Sequence, residues 1–531
     1  MPYPSLFNDV IGPVMRGPSS SHCAASLRIG RLCRDLMGGT PDEVLIQFDP
    51  NGSLAATYEA QGADMGLMGG LLGWDAQDAR LPGYRQAIAQ AGVRRRVEIV
   101  DIAAEHPNTY RISLSRQGRS RQVIALSVGG GMIEIIAIDG APLSIAGDYY
   151  ETLIETDTPE SVCRFIEQSV AADACLVCRG GTTLVEVKSP SALTAESLSA
   201  LARLEGVSAI MPLNPILPVM SRKDLRVPFM TAAQLLDYNR ERSLALWELA
   251  LDYEAARGNI TREQAWQKMA TLVGIMQAAV QTGLQGTDYA DRILGCQSGR
   301  FREQMQRGRL VEGDLLNRII LYVTAIMEVK SAMGVIVAAP TAGSCGALPG
   351  AVLATAEALG ATQEETVRAL LAAGLIGVFL AAHATFAAEV GGCQAECGSG
   401  AGMAAAAIVQ LAGGSLGQSL AAASLALQNS FGMVCDSIAN RVEAPCLGKN
   451  IMAATNALSC ANMALADYDP LIPLDEVIVA MHQVGQSIPN DLRCTGLGGL
   501  AMTPAAKAIE QRLADQGMVG LSTTGKRFKV C

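Results

Sequence analysis

The sequence predicts a multidomain α+β protein: an α+β N-terminal part, a small βαββαβ module, and a large all-α C-terminal part. Three observations carry this reading. At 531 residues, and roughly 100–200 residues per domain, the chain holds about two to four domains. Half of the residues are hydrophobic and only 17% are charged, which excludes a disordered chain. Aromatics make up 4%, against 54 Gly, so small aliphatic side chains, chiefly Ala, must fill the core. Closely packed helices suit that composition. A net charge of −10 without long basic runs argues against nucleic acid as a main partner.

Taken in order, residues 1–147 mix helix and strand signals. Runs at 44–48 and 122–127 read as strands, as does 132–139, which is Ile-rich and ends at Asp139-Gly140. Residues 149–217 spell a strand at 151–156, a helix at 159–171, and strands at 174–178 and 182–187. A helix at 195–204 and a strand at 207–211 complete the module. With Asp157-Thr158-Pro159 before its first helix, this order resembles an ACT domain, an amino-acid-sensing regulatory module. A plain structural αβ unit is the alternative. The Pro-containing stretch 212–228 reads as a connection. The domain boundaries are 1–148, 149–217, a linker at 218–235, and 236–531.

Beyond the linker the chain reads as helical. Thr362-x-x-Glu365 has the form of a capping box, Gly413-Gly414 reads as a helix stop, and Ser415 as the next cap. The longest apolar run, 369–382, stops at His383. A membrane span needs about 20 such residues, so a buried helix is expected and no membrane. Met1-Pro2-Tyr3-Pro4 lacks the basic and apolar regions of a secretory signal. Fourteen Cys in so long a chain is no disulfide scaffold, and a cytoplasmic location is expected.

Chemistry concentrates in breaker-flanked loops. Cys175-x-x-Cys178 lies in a predicted strand, where the two thiols project to opposite faces, and it has no second pair. By contrast Cys345, Cys393, Cys397, Cys435 and Cys446 mostly lie beside Gly or Pro. Gly343-Ser344-Cys345-Gly346, Gly391-Gly392-Cys393-Gln394 and Ala444-Pro445-Cys446-Leu447 are examples. Backbone N–H groups at such turns lower a thiol's pKa and hydrogen-bond a cluster; burial as small apolar residues is the alternative. Only four His occur, which favours an all-thiolate iron–sulfur site over mixed-ligand zinc. His22 ends Gly17-Pro18-Ser19-Ser20-Ser21-His22 before a helix at 24–36. Three hydroxyls and a helix start would suit a carboxylate, with His22 as acid–base group; an ordinary N-cap is the plain alternative.

These residues resemble the iron–sulfur L-serine dehydratase (L-serine ammonia-lyase) family, with its β and α parts fused. The markers run through the chain: Phe7-Asn8-Asp9-Val10-Ile11-Gly12-Pro13, Gly17 to His22, Gly52-Ser53-Leu54-Ala55-Ala56-Thr57, and Ala339-Pro340-Thr341-Ala342-Gly343-Ser344-Cys345-Gly346. Gly392-Cys393-Gln394-Ala395-Glu396, Cys435-Asp436-Ser437 and Glu443-Ala444-Pro445-Cys446 complete them. The resemblance implies conversion of L-serine to pyruvate and ammonia, with a [4Fe-4S] cluster as Lewis acid. It places the cluster on Cys393, Cys435 and Cys446, with Cys345 and Cys397 as non-ligand thiols. Cys531, the final residue, becomes a fourth ligand that substrate displaces. His22 is then the acid–base group, Ser19, Ser20, Ser21 and Ser53 position substrate, and Thr341, Gly343, Ser344 and Asp64 are further substrate-binding candidates.

One departure stands out: Gln61 occupies the place where the family carries a His, while Asp64 is present. This leaves open a related lyase on threonine, a hydroxylated acidic amino acid or cysteine (desulfidation), and a non-catalytic iron–sulfur sensor. Lys330 and Lys449 lack a Schiff-base context for pyridoxal phosphate. A small-molecule amino acid is the expected partner, and a homodimer the expected assembly.

Overall fold

Val44, Ile46 and Phe48 alternate along strand β1 (Glu43–Phe48) and are all buried, because a strand sends every second side chain to one face. The structure, a computed structural model, describes residues 3–516. Around β1 a sheet forms from β2 (Arg94–Ile99), β3 (Thr109–Arg116), β4 (Arg119–Gly129), β5 (Met132–Ile138) and β6 (Ala141–Ile145), in the order β2-β1-β3-β4-β5-β6. The β1–β2 pair is parallel and the others antiparallel. Two helices, Ala25–Leu36 and Ala63–Leu71, cross at backbone contact. A Cβ on Gly66 would lie 2.0 Å from the Cys23 carbonyl oxygen, and one on Gly70 2.1 Å from that of Leu27. Only glycine permits this approach, which fixes the serine-rich turn before the first helix.

A second sheet holds β7 (Tyr150–Thr156), β8 (Ala174–Arg179), β9 (Thr183–Ser189) and β10 (Val207–Leu213), antiparallel in the order β10-β7-β9-β8. With helices Pro159–Ser169 and Ala195–Leu201 it makes the expected βαββαβ order, a ferredoxin-like arrangement. Ile154, Val162, Ile166, Val185, Val187 and Leu201 give it a core of its own. Cys175 faces Cys163 at 3.3 Å, whereas Cys178 turns to the other face, against Glu186.

The expected connection is a packed strap. Pro212 lies within β10, and residues 214–228 carry no helix or strand. The Asn8 side chain donates to the Val219 carbonyl at 2.7 Å and accepts its N–H at 3.0 Å. That buried pair holds the strap against the N-terminal segment. Helix Ala232–Asn239, capped by Thr231, begins inside the stretch expected as linker, 218–235.

The remainder is a bundle of helices around Gln363–His383. Its capping box is formed: Thr362 Oγ1 accepts the Glu365 N–H, and Glu365 accepts the Thr362 N–H. Ser415 caps the next-but-one helix in the same way. The helix is long and apolar enough to cross a membrane, but 78% of its most apolar stretch is buried inside the protein. The N-terminal segment docks on it and on the neighbouring helix Leu246–Gly258, whose buried Glu254 accepts from Ser5 Oγ and the Leu6 N–H at 2.5 and 2.8 Å. Leu6 and Val10 lie against Gly374 and Gly377.

A Cβ on Gly377 would stand 2.1 Å from Val10 Cγ1, so Gly377→Ala should destabilise by roughly 1–3 kcal/mol through overpacking. Gly274, in helix Arg262–Gln285, has open space beside it. There Gly→Ala should stabilise by about 0.5–1 kcal/mol. Chemical denaturation of both variants reads the opposite signs.

Candidate active site

His22 occupies a one-turn π-helix, Ser20–Ala24, that feeds into helix Ala25–Leu36. Ser19 makes no capping bond, so the plain N-cap reading is not realised. Instead Ser19 Oγ and Ser21 Oγ lie 3.0 and 3.1 Å from His22 Nδ1. Thr57 Oγ1 lies 2.7 Å from Nε2, and its own proton goes to the Ser53 carbonyl. The network therefore assigns the proton to Nε2 and leaves Nδ1 as acceptor. His22 is fully buried, and that desolvation lowers its pKa against the opposing pull of Glu389 and Cys435. The imidazole is neutral near pH 7 and can accept a proton.

Glu389 comes from the opposite part of the chain, on the short turn Ala388–Gly391. Ser21 Oγ donates to its Oε1 at 2.8 Å, and that oxygen stands 3.6 Å from His22 Nδ1. The other oxygen, Oε2, is buried with no partner. Asn108, completely buried, also leaves both amide atoms unpartnered. Ser127 ties it to the serine turn: the Ser127 N–H bonds the Asn108 carbonyl, and its hydroxyl bonds the Ser21 carbonyl at 2.6 Å. Buried orphan atoms are costly, and their gathering beside a neutral histidine marks a place shaped for a polar ligand.

The remaining serine, Ser20, accepts the Ala342 N–H at 3.1 Å and so anchors the loop carrying Thr341, Gly343 and Ser344. Thr341 Oγ1 donates to Glu396 at 2.6 Å, and burial lifts that carboxyl to about 8. A Cβ on Gly343 would stand 2.8 Å from Glu396. Asn450 stitches this loop to the Cys446 segment. Its Oδ1 accepts the Gly346 and Ala347 N–H groups at 3.1 and 3.0 Å, while Nδ2 donates to the Gly343 and Cys446 carbonyls.

Below the loop lie the thiols. Cys393, Cys435 and Cys494 share one small buried cluster, and Ser437 Oγ bridges Cys435 and Cys446 at 3.9 and 3.7 Å. Lys449 Nζ is 2.7 Å from Asp436, 2.5 Å from the Val434 carbonyl and 3.8 Å from Cys393 Sγ. Hydrogen bonds from the Cys393 and Cys494 thiols hold Cys435 well below the ordinary thiol range. Burial pushes Cys446 up to about 11. Cys397 accepts from Asn450, and Cys345 packs on Met327. Among the described residues no three His, Cys, Asp or Glu side chains are placed to hold a single metal ion.

Ser53 also reaches the thiols, its hydroxyl donating to the Cys494 carbonyl at 3.1 Å, and Gln61 Nε2 donates to Cys494 Sγ at 3.3 Å. Asp64 is not brought to the histidine. Tyr84, Arg95 and the Met65 N–H engage its oxygens, and it lines a cleft of about 90 Å³ with Pro18, Gly62, Arg85 and Glu443. Cys531 lies outside the described residues. Glu389, Asn108, Thr57, Asn450 and Cys494 were not singled out from the sequence.

Fold and site define a two-part enzyme-like protein, with a buried histidine from its α+β part and a carboxylate and thiols from its helical part. Comparison with known proteins agrees. The family model described as serine dehydratase alpha chain matches residues 241–501. The chain is 39% identical over 296 residues to a probable L-serine dehydratase alpha chain of Bacillus subtilis, covering 56% of this chain and 99% of the relative. It is 39% identical over 154 residues to the probable beta chain of the same organism, covering 29% and 69%. L-serine dehydratase 1 of Escherichia coli is 31% identical over 283 residues, covering 52% and 62%. The chain belongs to the L-serine dehydratase family.

Asn450→Leu would remove all four of these bonds and leave the Gly346 N–H and the Gly343 carbonyl without them, and should destabilise by roughly 2–4 kcal/mol. Urea denaturation reads that loss directly.

Proposed function

We propose that the chain removes water from L-serine, releasing ammonia and pyruvate, with a [4Fe-4S] cluster held by Cys393, Cys435 and Cys446. The observation that carries the reading is the buried, half-unpartnered Glu389 beside neutral His22 and a group of buried thiols. The names of the relatives support the substrate. A cluster distributes its thiolates over separate irons, so the absence of a single-ion site does not oppose it. The donor set fits: buried thiols on loops, a hydroxyl between two of them, and a nearby ammonium. When bound, the cluster supplies a Lewis-acidic iron for the departing hydroxyl. Three protein thiolates leave one corner open, a place that Cys531 is proposed to fill until substrate displaces it.

The chain's own residues perform the rest. A carboxylate buried without a cation is unfavourable, and the substrate's ammonium would meet Glu389 Oε2. The substrate's carboxylate is assigned to the unpartnered Asn108 amide and the Ser19 hydroxyl, while Ser21 and Ser53 position the site through Glu389 and the Cys494 carbonyl. Ser20 holds the loop of Thr341, Gly343 and Ser344 in register, and Asp64 is left to its ion pairs. His22 takes the α-proton on Nδ1, and the imidazolium formed is held between Glu389 and Thr57. Loss of water leaves an aminoacrylate, which tautomerises and hydrolyses to pyruvate and ammonia. The βαββαβ module is proposed as a regulatory, ACT-like unit, and the enzyme as a cytoplasmic homodimer.

Anaerobic reconstitution with iron and sulfide, followed by a pyruvate assay, tests the reading. Serine should be turned over in preference to threonine, hydroxylated acidic amino acids and cysteine. Single Cys393→Ala, Cys435→Ala and Cys446→Ala variants should lose the iron–sulfur absorbance and activity, and Cys175→Ala should lose neither. Full iron content in Cys446→Ala would overturn the ligand assignment.

His22→Ala should keep its iron and lower kcat by roughly 10²–10⁴, the usual worth of an acid–base group. Because burial lowers the His22 pKa from its ordinary 6.5, kcat/KM should rise with pH below that value and be flat above it. An iron loss that matches the rate loss would make His22 structural.

A further inference from the structure

Cys494 belongs to no motif that marked the site, yet it packs on Cys393 and Cys435. Its backbone is held at φ +61°, a left-handed conformation that is unfavourable for a residue with a side chain. Such strain persists only where the surroundings over-determine it, and here they do. The Cys435 N–H donates to the Leu492 carbonyl at 2.8 Å, and the Cys494 N–H donates back to the Cys435 carbonyl at 3.1 Å. Ser53 holds the Cys494 carbonyl from the other part of the protein.

The thiol itself is oriented. Gln61 Nε2 donates to Cys494 Sγ at 3.3 Å and occupies a lone pair. That leaves the S–H free to face Cys435, the thiol with which Cys494 shares its buried cluster. Gln61 and Cys494 are both buried, so water does not compete. An amide suits this task, since it donates at every pH and never exchanges its proton for a charge.

We propose that Cys494 is a positioning residue, oriented by Gln61, that donates its S–H to the Cys435 thiolate and thereby raises the reduction potential of the cluster. The inference rests on the iron–sulfur reading above. A hydrogen bond to a ligand sulfur disperses its negative charge, and the reduced cluster, carrying one more electron, gains most from that. Cys494 is thus not a ligand, and its removal leaves the ligand set whole.

The test is a potentiometric titration, followed by electron paramagnetic resonance, of the anaerobically reconstituted full-length enzyme. Wild type, Cys494→Ala, Cys494→Ser and Gln61→Leu are compared, with iron content measured in each. All four should hold the same iron. The midpoint potential should move to more negative values in Cys494→Ala and part of the way in Gln61→Leu. It should stay near wild type in Cys494→Ser, whose hydroxyl still donates. An unmoved potential in Cys494→Ala overturns the proposal. Cys494→Ser shifting as far as the alanine variant also overturns it, because packing would then be the cause. Iron loss in Cys494→Ala overturns it in favour of Cys494 as a ligand. A wild type that binds no cluster defeats the iron–sulfur reading itself, and this inference with it.

Discussion

The 2.8 Å hydrogen bond from Ser21 to Glu389 is the join on which the site depends. One partner belongs to a turn of the α+β part and the other to a loop of the helical part, 368 residues apart in sequence. The α+β part brings His22, and the helical part brings Glu389 and the Cys393, Cys435 and Cys494 thiols. What presses the two together is apolar: Leu6 and Val10 against the glycine stripe of helix Gln363–His383. Burial of this kind is non-directional, so it supplies force without register. Register comes from polar contacts that have one solution only, such as Asn8 on Val219 and Ser5 on Glu254.

Burial then decides the electrostatics. It strips water from His22, lowering its pKa, and from Glu396, raising it to about 8. Burial also raises Cys446, whereas hydrogen bonding to Cys435, with burial second, raises Cys393 and Cys494 and lowers Cys435 in turn. The same dry surroundings make the unpartnered Glu389 oxygen a strong attractor for a cation. A zwitterion with an ammonium and a carboxylate answers both kinds of orphan atom at once, the acceptor on Glu389 and the amide of Asn108.

Local pattern made much of the fold legible. Period-two alternation found β1, the capping box Thr362–Glu365 found the start of the central helix, and turn residues bounded the βαββαβ strands to within one or two positions. The irregular backbone at 214–228 is legible from its prolines, but prolines say nothing of what such a stretch packs on. Cys393, Cys435 and Cys446 were visible through their breaker-flanked motifs. Glu389, between Ala388 and Val390, carries no local mark; its importance is a matter of which distant groups dehydrate it. Thr57 and Asn450 are ordinary helix polar residues until a histidine or a loop is laid against them. Cys494 had a signal that was passed over, since Gly496, Gly498 and Gly499 follow it closely.

The departure at Gln61 acquires a physical meaning from this geometry. A histidine there would be a second titratable ring facing Cys494, its charge changing with pH beside the thiol group. The amide replaces that with a fixed donor, so the α+β part meets the thiols through neutral contacts only, Gln61 on the sulfur and Ser53 on the carbonyl. On the other side Ser21 lies within hydrogen-bond distance of both His22 and Glu389. Between the two runs the Thr57–Ser53 hydroxyl pair, 3.5 Å apart, with each hydroxyl committed to a backbone carbonyl. A hydroxyl whose proton is already given to a carbonyl does not relay another. Gln61 thus adds no further titratable ring to the thiols it meets.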